Sequence, residues 1–75
     1  MKVEFNNLKD LLIFNVKYYR YLNNISQEKL AELSDLSTNY IGDIERDGRK
    51  VTIDTIEKVA RGLGVDPAVL LKDSK

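Results

Sequence analysis

The stretch Ile25–Gly48, ISQEKLAELSDLSTNYIGDIERDG, contains two helix starts within a dozen residues. Ser26 and Ser37 each precede a run of apolar residues at helical spacing, and a serine hydroxyl in that position accepts hydrogen bonds from the free amides of the first turn. Asp35 stands at a turn, where Asp tolerates a left-handed backbone better than most residues other than glycine. The pattern predicts a short helix that ends near Ser34 and a second helix that begins directly after Ser37.

The rest of the chain shows the same helical spacing and no alternation typical of strands. Apolar residues before Asn24 recur at steps of three and four, and Asn24 suits a left-handed stop. Thr52 and Gly64 suit the cap and the end of a fourth helix, and Asp66-Pro67 suits the start of a short fifth. We therefore predict a compact all-α protein of five helices. The residues expected to face its core are Leu8, Leu12, Val16, Tyr19, Leu22, Leu30, Ala31, Ile41, Ile44, Ile53, Ile56, Val59, Ala60, Leu63, Leu70 and Leu71.

The two helices of the quoted stretch are about two turns long and are joined by only a few residues. Such helices cannot lie flat side by side, so they cross at a steep angle, and Ala31 is small enough to let them approach. Their apolar residues then meet inside, while the polar first turn Thr38-Asn39-Tyr40 stays outside. A helix end of this diameter fits the major groove of DNA. The stretch therefore predicts a helix-turn-helix.

Length and composition exclude several classes of protein. Seventy-five residues suffice for one small domain, and we expect a single DNA-binding domain over residues 1–75 with its core at about 8–71. The sequence has no Cys, no His and no Gly-rich phosphate loop, so we expect no catalytic site, no metal site and no cofactor. The longest apolar runs are too short to span a membrane. We expect a cytoplasmic protein without a small-molecule ligand.

The charge of the chain gives no support to DNA binding. Twelve Lys and Arg residues balance twelve Asp and Glu residues, and residues 26–50 hold four basic side chains against six acidic ones. Nucleic-acid binders usually carry a basic patch. A DNA-binding function must therefore depend on geometry.

The quoted stretch, followed by Thr52–Leu63 and Gly64-Val65, resembles the Cro and phage-repressor helix-turn-helix superfamily. The segment STNYIGDIERDGRKVTIDTIEKVARGLGV, residues 37–65, is particularly similar to the small controller proteins of restriction-modification systems. The resemblance covers about residues 12–71. It implies a λ-repressor-like fold in which helices two and three form the helix-turn-helix and residues 38–46 form the recognition helix. It also implies a transcriptional regulator of the repressor or controller type.

The resemblance implies roles for individual side chains. Arg20 and Glu45 hold the positions of a structural ion pair in this family, and Gln27 holds a position that clamps a phosphate or positions the next helix. Asn39 is the strongest candidate for base contact, because Asn can bond adenine in a bidentate manner. The full set of residues expected at the DNA is Gln27, Ser37, Thr38, Asn39, Tyr40, Asp43, Arg49 and Lys50.

The sequence departs from the family pattern in helix two and in the recognition helix. Leu33 stands where a charged residue is usual and Ser34 where an apolar one is usual, which raises the alternative that the buried face of helix two is shifted. Gly42 costs about 1 kcal/mol relative to Ala inside a helix. We interpret Gly42 as permitting a close approach to DNA or to another helix.

Assembly is inferred rather than read from a motif. A single copy would neutralise few phosphates, so we expect a homodimer on an inverted-repeat operator with half-sites about 34 Å apart. The alternative function is a protein-interaction module of the same fold, an antitoxin or adaptor, which Leu33 and the negative charge of residues 26–50 favour. The candidate dimer residues are Val65, Pro67, Val69 and Leu71, with core burial as the alternative for Val65 and Leu71.

Overall fold

The computed structural model describes residues 7–48 and 51–73. In this part of the chain the predicted all-α class is confirmed, and no helix in it is both long and apolar enough to cross a membrane. The elements are α1 (Leu8–Leu22), α2 (Gln27–Ser34), α3 (Thr38–Arg46), α4 (Ile53–Leu63) and a 3-10 helix (Pro67–Leu71).

The fifth predicted helix is a 3-10 helix rather than an α-helix. The amide nitrogen Nδ2 of the buried Asn15 donates to the carbonyl oxygens of Val69, Leu70 and Lys72, at 3.3, 2.8 and 2.9 Å. These hydrogen bonds hold the carbonyl groups towards α1. A segment of only five residues has few internal helical hydrogen bonds that could oppose this orientation. Asn15 thus fastens the end of the described chain to the body of the fold.

The helix boundaries follow the predicted local signals. Asn24, Asp35 and Gly64 all adopt the left-handed backbone expected of them, with φ of 56°, 58° and 73°. The hydroxyl caps are Ser26, Ser37 and Thr52, and each accepts a hydrogen bond from the backbone amide three residues ahead at 3.0 or 3.1 Å.

The core holds most of the predicted apolar residues, but four of them lie outside it. Leu8, Leu22, Ile53 and Leu71 are 63%, 61%, 78% and 37% exposed, so their predicted burial is wrong. Each is the first or last residue of its helix, where the side chain reaches past the neighbouring helices. The buried face of α1 instead includes Leu11, Asn15 and Arg20, which share its side with Leu12 and Val16.

The buried face of α2 is not shifted, because α4 makes room for a serine. Ser34 is buried and Leu33 is exposed, as in the ordinary register. A Cβ atom at Gly62 of α4 would lie 2.3 Å from Ser34 Oγ and 3.2 Å from Leu30 Cδ1. The absence of a side chain at Gly62 therefore lets α2 and α4 approach each other at the serine.

A buried ion pair fastens α3 to α1. Arg20 Nε donates to Glu45 Oε2 at 2.7 Å and Arg20 Nη2 donates to Glu45 Oε1 at 3.0 Å, while Nη1 donates to the carbonyl oxygen of Ile25 at 2.9 Å. The two side chains are only 10% and 5% exposed. The hydrogen bond to Glu45 is the main cause that raises the pKa of Arg20 above its ordinary value. One guanidinium therefore joins α1, the α1–α2 turn and the end of α3.

Replacing Arg20 with Met should lower the free energy of unfolding by about 3–5 kcal/mol, because Glu45 would remain buried without its partner. The double variant Arg20→Met with Glu45→Leu should recover a large part of this loss, since no buried charge remains. Lys29→Ala, which removes the exposed pair with Glu32, is the control and should change stability by less than about 1 kcal/mol. Urea denaturation measures all three, and similar small losses in Arg20→Met and Lys29→Ala would contradict the anchoring role.

Two glycine-to-alanine changes inside helices should have opposite effects. Gly62→Ala overpacks the contact with Ser34 at a cost of up to about 3 kcal/mol, which exceeds the roughly 1 kcal/mol gained in helix propensity. Gly42→Ala should stabilise the protein by up to about 1 kcal/mol, because its new Cβ would meet only Gln27 Oε1, at 3.9 Å. Thermal denaturation separates the two, and a gain in both variants would show that α2 and α4 are not in close contact.

Candidate nucleic-acid interface

The first turn of α3 is the exposed end of a helix that is otherwise held against the fold. Ser37 Oγ accepts the amide of Tyr40 at 3.0 Å, and Ser37, Thr38 and Asn39 are all exposed. Ile41 and Ile44 are buried in the core on the opposite side of the helix. The side chains predicted to reach base edges therefore project from an element whose other face is fixed.

Tyr40 differs from Thr38 and Asn39 because its side chain packs against the body of the protein. Its side chain is half-buried and packs against the core, and its hydroxyl oxygen lies 3.2 Å from Thr55 Oγ1. Thr55 was not among the predicted site residues, because nothing in the sequence couples it to a residue fifteen positions earlier. The structure thus joins the first turn of α3 to the first turn of α4.

Gln27 belongs to the link between α2 and α3. Its Nε2 atom donates to Glu45 Oε1 at 3.0 Å, and the side chain is half-buried at the start of α2. Of the two roles that the family resemblance implied, this contact matches the one in which Gln27 positions the next helix. Glu45 consequently accepts from both Arg20 and Gln27 on the same oxygen.

The carboxylate of Asp43 is compensated within its own helix. Asp43 Oδ1 accepts from Arg46 Nη2 one turn further along α3, and both side chains are about half exposed or more. Arg46 was not among the predicted DNA contacts, although its place in the last turn of an exposed helix face could have marked it. The pair places the guanidinium group of Arg46 on the same exposed face of α3 as Asn39 and Asp43.

The predicted phosphate contacts Arg49 and Lys50 lie outside the described residues. The chain that leads to them is closely packed: Gly48 is buried with φ of 66°, and a Cβ atom there would lie 2.9 Å from Lys9 Cγ. Both the left-handed backbone and the close contact favour glycine at this position. Gly48 therefore fixes where the chain leaves α3.

The candidate dimer residues fall into two groups. Val65 and Val69 are half-buried, and Val65 packs against the core, whereas Pro67 and Leu71 are exposed. Leu71 also lines an apolar surface groove at the start of α1. The other residues of this groove are Leu8, Lys9, Leu12, Gly48, Val51 and Ile56.

The chain matches known proteins over most of its length. The family model described as helix-turn-helix matches residues 16–70. The control protein C.SmaI of Serratia marcescens is 45% identical over 67 residues, which are 89% of this chain and 80% of that protein. The control protein C.BamHI of Bacillus amyloliquefaciens is 48% identical over 67 residues, which are 88% of this chain and 83% of that protein.

The fold is also similar to that of solved controller proteins. The crystal structure of the restriction-modification controller protein C.AhdI from Aeromonas hydrophila superposes with a TM-score of 0.76 at 35% identity, covering 80% of this chain and 91% of that one. The family model, the sequence relatives and the structural relatives therefore all identify a helix-turn-helix protein, which agrees with the arrangement of α2 and α3. The chain belongs to the helix-turn-helix family, and control proteins of restriction-modification systems are among its relatives.

Proposed function

We propose that this chain is a transcriptional regulator that binds a specific inverted-repeat operator in double-stranded DNA as a homodimer. The first turn of α3 enters the major groove. The observation that carries the proposal is the exposure of Thr38 and Asn39 on a helix whose other face and far end are anchored. Such a regulator acts in the cytoplasm and requires neither a catalytic group nor a cofactor.

Asn39 is the main base-reading residue in this proposal. Its amide offers one donor and one acceptor side by side, which matches the N6 and N7 edge of adenine. Thr38 beside it can contact a thymine methyl group or a phosphate. Arg49 and Lys50 in the loop after α3 contribute phosphate contacts, which strengthen binding to every sequence but do not select among them.

The acidic side chains near α3 do not oppose the proposal as strongly as their number suggests. Glu45 is buried and paired with Arg20, which lies outside residues 26–50, and Asp43 is paired with Arg46. Glu32 of the same segment is paired with Lys29, so at least three of its six carboxylates have a cation within hydrogen-bond distance. Asp43 remains close enough to the exposed face to accept a hydrogen bond from a cytosine amino group.

The homodimer follows from the small size of the contact that one copy can make. The exposed residues Leu8 and Leu71 both line the apolar groove, and none of the residues of the first turn of α3 lines it. We assign the second copy to this surface. Leu8 thereby joins the predicted Leu71, Pro67 and Val69 as an interface candidate, whereas the predicted Val65 packs against the core.

One observation favours a second function. Leu33 lies on α2 and is exposed, so its apolar side chain is available for contact with a protein partner. It would suit a protein-interaction module of the same fold, such as an antitoxin or adaptor. Failure of the chain to shift any duplex from a random pool at low salt would support this second function over DNA binding.

Selection of bound duplexes from random DNA should give an inverted repeat, and Asn39→Ala should lose base preference at one position in each half-site. The loss should be about 1–3 kcal/mol of discrimination at that position. Lys50→Ala is the matched control: it should weaken binding to all sequences alike and reduce the slope of log K against log salt by about 1. An unchanged motif with Asn39→Ala would contradict the assignment of base reading.

Leu71→Asp should shift the protein from dimer to monomer, because the charge would be buried in the proposed interface without a partner. Sedimentation at several protein concentrations measures the change. Leu33→Asp introduces the same charge at an exposed leucine outside the groove and should leave the dimer intact. Equal dissociation in both variants, or in neither, would contradict the assigned interface.

A further inference from the structure

Thr55 is a buried polar residue whose hydroxyl group contacts two other hydroxyl groups. It lies in the first turn of α4 and is only 7% exposed. Its Oγ1 atom is 3.2 Å from Tyr40 Oη and 3.1 Å from Thr52 Oγ1. A hydroxyl that is buried in this way is stabilised by its hydrogen-bond partners, and here those partners belong to two different elements.

The three hydroxyl groups form a chain from α3 to the start of α4. Thr52 caps α4 by accepting the amide of Thr55 at 3.1 Å, and its hydroxyl also meets that of Thr55. Thr55 in turn meets Tyr40 in the first turn of α3. Hydrogen bonds linked in series polarise one another, so the chain is a stronger connection than a single contact.

Tyr40 is held at both of its ends by this arrangement. Its backbone amide donates to Ser37 Oγ at 3.0 Å, and its hydroxyl lies against Thr55. The first turn of a helix has amides without intrahelical partners, so the helix itself fixes this turn less firmly than its middle. The contact with Thr55 fixes the orientation of the turn that carries Thr38 and Asn39 relative to α4.

We propose that Thr55 is a positioning residue for DNA recognition. It does not touch DNA; it holds Tyr40, and through Tyr40 it sets the orientation in which Asn39 meets the base edge. The inference rests on the proposed DNA-binding function. Hydrogen bonds to bases lose strength steeply with distance and angle, so a small rotation of this turn reduces discrimination between sequences more than it reduces attraction to phosphates.

The test compares affinity for the selected operator with affinity for an unrelated duplex of the same length. Thr55→Val removes the hydroxyl and keeps the branched shape, and it should lower this ratio about five- to tenfold, as expected for one lost hydrogen bond. Binding to the unrelated duplex should stay the same. Thr55→Ser should restore the ratio. Tyr40→Phe should lower it as Thr55→Val does, and the double variant should be no worse than either single one.

Val59→Ala controls for a general loss of stability. Val59 lies one turn further along α4 and is buried in the core, so its truncation weakens α4 while it leaves the hydroxyl groups in place. This variant should keep the ratio within about twofold of that of the unaltered protein.

Four results would overturn the inference. An unchanged ratio in Thr55→Val, or an equal fall in Val59→Ala, would show that Thr55 acts only through stability, if at all, while the proposed DNA binding stands. Additive losses in the double variant would show that Tyr40 and Thr55 act separately. Failure of the unaltered protein to bind any duplex would instead overturn the proposed function, and this inference with it.

Discussion

The buried contact between Arg20 and Glu45 is the constraint on which the candidate site depends. The recognition helix α3 has nine residues, and a helix of that length is not stable by itself in water. Ile41 and Ile44 hold its buried face, but apolar contacts alone allow a helix to slide or rotate. The two parallel hydrogen bonds from Arg20 fix the far end of α3 in distance and direction. The first turn can therefore project into solvent without losing its orientation.

The same contact also explains how a chain without net charge can present a surface suited to DNA. A carboxylate near the phosphates is repulsive only to the extent that its charge reaches them. Glu45 is neutralised inside the protein, with Arg20 and Gln27 as its donors. The anchoring of α3 and the suppression of a repulsive charge are thus achieved by one group of side chains, which a count of charges along the sequence cannot reveal.

The sequence predicted best what is determined locally. The caps at Ser26, Ser37 and Thr52 and the left-handed residue Asp35 were correct, because each depends on bonds to amides or carbonyls within a few positions. Burial at helix ends was predicted wrongly for Ile53, since periodicity gives the direction of a side chain but not how far the neighbouring helix extends. The role of Thr55 could not be predicted either. Its partner Tyr40 is brought to it by the packing of α3 against the rest of the core, and no spacing rule encodes that approach.

Polar and apolar contacts stabilise different parts of this fold. The apolar side chains position helices against one another, while the buried polar side chains hold the segments between and after the helices. Asn23 donates to the carbonyl oxygen of Leu63, Arg20 donates to that of Ile25, and Asn15 donates to three carbonyl groups at the end of the described chain. Non-helical backbone has carbonyl groups without helical partners, so these amide and guanidinium donors satisfy it and fix its course. The polar side chains of Thr38 and Asn39 in the helix-turn-helix take part in none of these contacts, and both are exposed.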